Sequence, residues 1–374
     1  MKSLIRSTAA ACLCLPAFSM FPSVSSAADT TTVTLYGLVD SGVQYVNHGP
    51  DGGSSNLDVA SGNLTGSRWG MRGTEDLGGG LSAIFALESG FDNSTGNSLQ
   101  GDRLFGRQAY VGLSDKTWGT LMLGRQNTLV IDWVNNYNPF DNSNFGGKII
   151  DPAFSDRMDN AAKYTKRFGD VSIGGAYSTG WNSDQDFSDA QRGKMIEAGV
   201  RYDSGPLSAL VLYHGKRADA PKAPATSHNR EDRVFGGVSY DFEAVKLYGG
   251  YRWLQQQLTT QVYTSNLYWT GIQYRPQSMT RLSLAYYYMS GTTCDNMNVA
   301  TCPAVEGVGK DQKPSLLVLG AEHDLSKRTT LYALASYVMN SHGSSYGILG
   351  NKYGEEVTPG DNQLGVTIGM RHRF

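Results

Sequence analysis

The sequence predicts a 16-stranded antiparallel transmembrane β-barrel with short turns at one end and long loops at the other. Three observations predict it. Apolar residues alternate with small or polar ones along segment after segment, the period-two signature of a strand with one apolar face. Seven tight turns and eight long polar stretches follow one another in alternation, and together they connect sixteen strands. After the N-terminal region no apolar run of about 18 residues occurs, so the chain offers no membrane-spanning helix. The composition agrees: 45 glycines and 21 tyrosines in 374 residues, with 18% charged residues and a mean hydropathy of -0.34. That is too polar for a helical membrane protein and too aromatic for a disordered chain. A net charge of -2 carries no electrostatic footprint for nucleic acid.

The chain opens on an address. Lys2 and Arg6 precede the apolar stretch from Leu13 to Phe21, and the small residues Ser23 to Ala28 follow. This is the pattern of a Sec signal peptide, with cleavage expected after Ala27 or Ala28; the apolar run is too short for a membrane anchor. Residues 1–28 are therefore set apart, and 29–374 are read as one barrel without a linker. Removing the signal takes away two basic and no acidic residues, leaving 30 Lys and Arg against 34 Asp and Glu, a net charge of -4. It also removes Cys12 and Cys14. Cys294 and Cys302 remain, an even count in an oxidising compartment, and are expected to close a small disulfide loop. With no histidine beside them they make at most half a metal site.

The strands follow in order. Val33, Leu35, Gly37, Val39 and Val43 share one parity, and Thr34, Tyr36, Asp40 and Gln44 the other. Leu81, Ala83, Phe85 and Leu87 alternate with Ser82, Ile84, Ala86 and Glu88. At the C-terminus Leu364, Val366, Ile368 and Met370 alternate with Gly365, Thr367 and Gly369. Gly-, Pro- or Asp-bearing turns fall near Leu77, Lys116, Phe168, Gly205, Phe242, Gln277 and Ser326. The longer stretches lie near 47–66, 92–103, 126–159, 179–194, 215–232, 254–264, 290–313 and 340–361.

That asymmetry is the layout of an outer-membrane barrel, with short periplasmic turns and long external loops. Hydrocarbon leaves every backbone amide to be paired internally, which only a closed sheet of crossing strands achieves. Sixteen strands of about 10 residues span the bilayer and enclose an aqueous lumen. Aromatic residues at strand ends are expected in two interfacial girdles: Tyr36, Phe91, Tyr110, Trp118, Tyr177, Tyr202, Tyr240, Trp253, Trp269, Tyr274 and Tyr286 to Tyr288.

Several segments resemble the Gram-negative trimeric general porins, especially the betaproteobacterial type. They are Thr34 to Asp40 (TLYGLVD), Ser67 to Gly78 (SRWGMRGTEDLG), Gly106 to Gly112 (GRQAYVG), Leu123 to Gln126 (LGRQ) and Gly369 to Phe374 (GMRHRF). The resemblance covers the whole mature chain. It implies a homotrimer in the outer membrane, in contact with lipid and lipopolysaccharide. It also implies loop 3 folded into the lumen, delivery by periplasmic chaperones, and a terminal Phe374 read by the barrel-assembly machinery. The stretch 126–159 between strands 5 and 6 fits the place of loop 3. Its Asn138 to Gly147 segment differs in detail from the enterobacterial Pro-Glu-Phe-Gly-Gly.

In that family barrel-wall arginines face acids on loop 3. Carried over, the wall arginines fall on Arg68, Arg107 and Arg157. Parity supports Arg68 and Arg72 independently: apolar Trp69 and Met71 face lipid, so the arginines face the lumen, since an outward mid-depth arginine costs about 2–4 kcal/mol. An outward Tyr110 would likewise turn Arg107 inward. Arg125 ends strand 5 beside loop 3, and Glu88 shares the inward parity of its strand. Asp132 and Asp141 are the loop acids expected opposite. One arginine about 5 Å from a passing anion contributes roughly 0.8 kcal/mol in bulk-water dielectric, enough to bias permeation without trapping. The expected function is diffusion of ions and small hydrophilic solutes through a water-filled pore, mildly favouring anions, with no catalysis, metal or cofactor. The alternatives are a substrate-specific anion channel, for which Lys216 and Arg217 are the nearest extra basic pair, and a non-conducting adhesin or surface-antigen barrel.

Enzymatic motifs fail on context. Gly343-Ser-Ser-Tyr-Gly347 matches the hydrolase elbow pattern but sits in a Gly/Ser-rich loop, not at a strand-to-helix turn. The six histidines form no zinc-binding pair spacing. Gly-Lys pairs, Gly147-Lys148 among them, lack the upstream glycine of a phosphate loop. Asp184, Asp186 and Asp189 read as a solvated acidic loop ahead of a weak Ca²⁺ site.

Overall fold

The computed structural model describes residues 31–49, 53–182, 193–217, 230–257, 262–294, 311–341, 344–348 and 357–374. Within them sixteen antiparallel strands close into a barrel. β1 is Thr32–Val46, and β2 comes in two pieces, Asn56–Ser61 and Arg68–Gly78. β3 is Leu81–Gly90, β4 Gln108–Asp115 and β5 Gly119–Asn127. After them come β6 Arg157–Phe168, β7 Val171–Ser178, β8 Met195–Ser204, β9 Leu207–Arg217 and β10 Arg230–Asp241. Then follow β11 Val245–Gln257, β12 Val262–Gln277 and β13 Thr280–Cys294. β14 is again broken, as Asp311–Gln312 and Ser315–Asp324, before β15 Thr329–Met339 and β16 Gln363–Arg373. The two breaks are local. Both pieces of β2 pair with β1, the first along Ser41–Val46 and the second along Thr32–Leu38. Both pieces of β14 pair with β13, separated by Lys313 and Pro314, whose ring removes a ladder donor.

Closure runs from β16 to β1. Leu38 pairs with Arg373 and Val46 with Gly365, and Phe374 N donates to the Gly37 carbonyl at 3.0 Å. Among the described residues every strand has a partner on both sides, as a lipid-embedded sheet requires. Short turns at 79–80, 116–118, 169–170, 205–206, 242–244, 278–279 and 325–328 all lie at the end where β1 begins and β16 ends. The connections at 91–107 and 128–156, with the described residues 340–341, 344–348 and 357–362, lie at the other end. A glycine stands at positive φ in several of the short turns, Gly169 and Gly205 among them, where an L side chain is strained.

The alternation sorts as the sequence predicts. Val33 and Leu35 expose 59% and 63% of their surface on the outer face, and Ile368 exposes 67%. Inward-facing Asp40 and Gln44 are buried. The girdle expectation needs correction at four residues. Tyr202, Tyr240, Tyr274 and Tyr286 face outward, but Tyr36 donates from its hydroxyl to Glu88 inside the barrel at 3.0 Å. Tyr110 lies opposite inward-facing Ala86, and its neighbour Val111 is the exposed one. Trp269 and Tyr287 are buried against the loop that fills the lumen. The outward-Tyr110 argument for Arg107 therefore fails, and Arg107 reaches the interior from the last residue of the 91–107 connection.

The barrel is not empty behind its wall. The connection 128–156, here called loop 3, turns inward. It opens on the short helix α1, Leu129–Trp133, capped by Thr128, whose hydroxyl accepts from Ile131 N. Three 3-10 turns follow, Val134–Tyr137, Gly147–Ile149 and Pro152–Ser155. Its apolar side chains form the largest core of the protein. Leu129, Val134, Tyr137, Phe140, Phe145 and Phe154 meet Leu212, Phe235, Leu267, Trp269, Tyr287, Val318 and Leu334 from the inner faces of β9 to β15. Phe154 sits edge-on to Phe235 and Trp269, at 6.0 and 5.6 Å between centroids. Each such side chain buried stabilises the docked loop by roughly 1.5–3 kcal/mol.

Candidate functional site: the lumen beside loop 3

Wall glycines admit the loop. A Cβ on Gly237 would fall 2.7 Å from Tyr137 Cγ, one on Gly271 2.7 Å from Pro139 Cδ, and one on Gly320 2.6 Å from Phe140 Cε1. Gly174 leaves room in the same way for the Trp133 indole. Polar contacts then fix the loop in register. Leu129 N donates to Glu197 Oε2 at 2.7 Å, Trp269 Nε1 to the Tyr137 carbonyl at 2.9 Å, and Ser336 Oγ to the Phe145 carbonyl at 2.7 Å. At the tip, Ser143 Oγ and Asn144 N both donate to the Asn63 carbonyl, at 2.7 and 3.0 Å. Asn63 lies in the break between the two pieces of β2, so the interruption of that strand receives the loop tip.

Loop 3 is thus held against β7 to β16. On its other side it faces β2, the 91–107 connection, the end of β5 and β6 across a cavity of about 460 Å³, lined by Arg68, Arg107, Arg157, Lys148, Asp132 and Asp141 among others. Arg107 Nε contacts Glu88 Oε1 at 2.5 Å, and Arg68 approaches the same oxygen at 3.9 Å. Glu88 also accepts from Tyr36, so its charge is spoken for. Asp132 is closed onto the Lys163 ammonium at 2.7 Å and accepts from Asn127 Nδ2 at 3.0 Å. Asp141, at the loop tip with a positive φ of 44°, is exposed and acts on Arg68, Lys148 and Arg107. Arg157 donates to the Ser155 carbonyl at 3.4 Å, and no carboxylate among the described residues lies in salt-bridge reach of it. Among the described residues the cavity therefore presents four cations, of which Arg107 is paired with Glu88, while Asp132 is held by Lys163; Arg68, Arg157 and Lys148 then stand against Asp141.

Sequence and structure part at two of the expected residues. Arg72 faces the lumen but lies nearer the short-turn end, outside the cavity lining, its guanidinium 5.2 Å from the centre of the Tyr36 ring. Arg125 does not line the cavity either. It shares parity with lipid-facing Leu121 and Leu123, its register shifts after Gly124, and its guanidinium is held by Asp159 and by the Gly106 carbonyl. Glu88 is inward as expected but buried. Lys216 and Arg217 are tied to acids: Lys216 to Asp156 at 3.2 Å and Arg217 to Asp232 at 3.8 Å. Phe374 packs on Gly37 at the end of the closing seam. Cys302, and with it the Cys294–Cys302 pair, lies outside the described residues, as do Asp184, Asp186 and Asp189.

Two residues were not singled out from the sequence. Lys148 was visible only as a chance Gly-Lys pair; its flanking by Gly147, Ile149 and Ile150 was the available sign of a turn packed inward. Asp151 sits 1% exposed against Arg252 and Arg233, at 2.7 and 3.3 Å. Burial by itself would raise its carboxyl, but the two guanidiniums outweigh that and hold it at about 2. Nothing in the linear spacing couples residue 151 to residue 252.

A family model described as Gram-negative porin matches residues 8–343. The chain belongs to the Gram-negative porin family. An outer membrane porin protein of Bordetella pertussis is 33% identical, over 92% of this chain and 94% of the relative. Outer membrane porin protein 32 of Delftia acidovorans is 30% identical, over 96% of this chain and 99% of the relative. Among solved structures, an anion-selective porin from Comamonas acidovorans superposes with a TM-score of 0.78 at 28% identity, covering 92% of this chain and all of that one (100%). The trimer form of OmpT from Vibrio cholerae shares the fold at a TM-score of 0.68 and 18% identity, covering 92% of this chain and 99% of that one. This porin is an outer-membrane barrel that passes ions and small hydrophilic solutes.

Proposed function

We propose that this porin works as a homotrimer of mildly anion-preferring pores, each constricted between loop 3 and the arginine-bearing wall. One observation carries the reading: beyond the neutral pairs Arg107–Glu88 and Lys163–Asp132, Arg68, Arg157 and Lys148 border the cavity. The residual field is positive although the mature chain is acidic, because selectivity follows the charges at the narrowest water, not the total. A cation row with one free acid opposite it, Asp141, attracts small anions by a few times thermal energy, before screening by salt, and releases them. The similarity to a structure described as an anion-selective porin favours the same sign here. The trimer is carried by family membership and by the OmpT trimer form. The purified protein in a planar bilayer under a KCl gradient tests both parts. Current steps in threes with a reversal potential on the chloride side support the reading, and a reversal potential on the potassium side overturns the charge assignment.

A further inference from the structure

Loop 3 carries a cation of its own into the cavity, and it differs chemically from the arginines opposite. Lys148 lies in the 3-10 turn Gly147–Ile149 between buried neighbours. That turn is fixed. Ile149 N donates to the Gly146 carbonyl at 3.1 Å, and Ile150 N and Asp151 N donate to that of Gly147 at 3.0 and 3.1 Å. Gly147 lies against the Tyr287 ring, and Ile149 and Ile150 belong to the loop core. The ammonium therefore stays at the cavity while the loop is docked.

The charged groups facing it are Arg157 from β6, Arg107 from the end of the 91–107 connection, and Asp141 from loop 3 itself. Among the described residues no carboxylate lies in salt-bridge reach of Lys148, and Asp141 is shared with Arg68 and Arg107. Partial enclosure first, and then the repulsion of Arg157 and Arg107, disfavour the protonated amine and push Lys148 down to about 7. The guanidiniums around it keep their charge throughout the physiological range, whereas a lysine in such a place gives its proton up.

We propose that Lys148 is a proton-operated selectivity residue. Protonated, it adds a loop-borne cation to the wall arginines; neutral, it withdraws that charge and leaves Asp141 to passing cations, so the preference for anions falls as the pH rises through neutrality. The inference deepens the anion-preferring reading above but depends on it only for the starting sign, because loss of a lysine charge moves any pore toward cations.

The test is the reversal potential of single channels in a KCl gradient, taken from about pH 5.5 to about pH 8.5, on either side of the shifted lysine. The wild-type anion-to-cation permeability ratio is expected to fall about tenfold, because one charge roughly 5 Å from the ion path favours the anion and opposes the cation by similar amounts, less screening by salt. Lys148→Arg is expected to hold the low-pH ratio across the range, and Lys148→Gln the high-pH ratio. A flat wild-type profile, or a slope that survives in Lys148→Gln, overturns the proposal. A cation-preferring wild type whose slope disappears in Lys148→Gln would sink the anion reading and leave this one standing.

Discussion

Asp151 of loop 3 and Arg252 of β11 form an ion pair of 2.7 Å in which each side chain is 1% exposed. It joins the far end of the loop to the barrel wall at a point no water reaches. Arg233 shares the same carboxylate, and Glu231 in turn accepts from Arg233 Nη1 at 2.7 Å. Two acids and two guanidiniums thus balance inside the barrel, which is the condition under which buried charge is tolerable. Loop 3 is fastened at its start by Glu197, at its tip by the Asn63 carbonyl and at its end by this cluster.

Asp151→Asn leaves two guanidiniums facing a neutral amide. Breaking a buried pair from one side costs about 3–5 kcal/mol, whereas replacing both partners by apolar groups costs far less. Asp151→Asn is expected to lower the thermal unfolding midpoint and to raise open-channel current noise. Asp151→Leu combined with Arg252→Met is expected to recover most of the stability. Equal damage in the single and the double substitution would show that the pair is not what holds the loop.

The same carboxylate sets an acid limit. Its folded-state value of about 2 lies below the ordinary aspartate value near 3.9, so the native protein binds this proton less tightly than the unfolded chain does. The stabilisation is fully present above about pH 4 and is lost as the pH falls toward 2, in total about 2.5 kcal/mol. Denaturant unfolding followed between about pH 5 and pH 2 should show that slope, and Asp151→Asn should lack its share of it.

The glycine notches make a steric prediction. Gly320→Leu would drive its side chain into the Phe140 ring and push the loop off the wall into the lumen. A smaller single-channel conductance is expected, with a stability cost of about 1–3 kcal/mol from overpacking. Conductance equal to wild type would mean that the loop yields elsewhere.

Among the wall arginines, Arg107 should matter most. Arg157→Ser removes one cation; Arg107→Ser removes one and also releases Glu88 from its 2.5 Å contact, adding a free acid. The shift of reversal potential toward potassium is therefore expected to be clearly larger for Arg107→Ser. Equal shifts would show that Glu88 finds a second partner, Arg68 being the nearest candidate at 3.9 Å.

The closing seam can be tested separately. A Cβ on Gly37 would lie 2.6 Å from the Arg68 carbonyl and against the Phe374 ring. Gly37→Val is expected to reduce the yield of folded barrel, read as the heat-modifiable form on gels. A normal yield would release Gly37 from this role.

The barrel was legible in the linear chain because its causes are local. Period-two alternation follows from the pleat, the alternation of short and long connections from the two unlike sides of the membrane, and the inward parity of Arg68 and Glu88 from the lipid-facing Trp69, Met71 and Leu87 beside them. Turn chemistry near Phe168 and Gly205 reports on a few consecutive residues, and those turns lie where expected. That a loop folds into the lumen came from the family resemblance, and the count of strands before it only picked out which connection that is.

The constriction has no such local cause. Tyr110, Trp269 and Tyr287 look like girdle residues, yet they face inward, because the parity of a single aromatic is ambiguous where loop 3 makes part of the lumen apolar. Arg125 was drawn away by Asp159, Lys148 came to face Arg107 from another connection, and Asp151 acquired partners 82 and 101 positions away in the chain. Which charges remain unpaired beside the water depends on where a folded-in loop comes to rest against a closed sheet. That is a property of distances between residues remote in sequence, fixed by packing against Phe235, Trp269 and Tyr287, and no pattern along the chain encodes it.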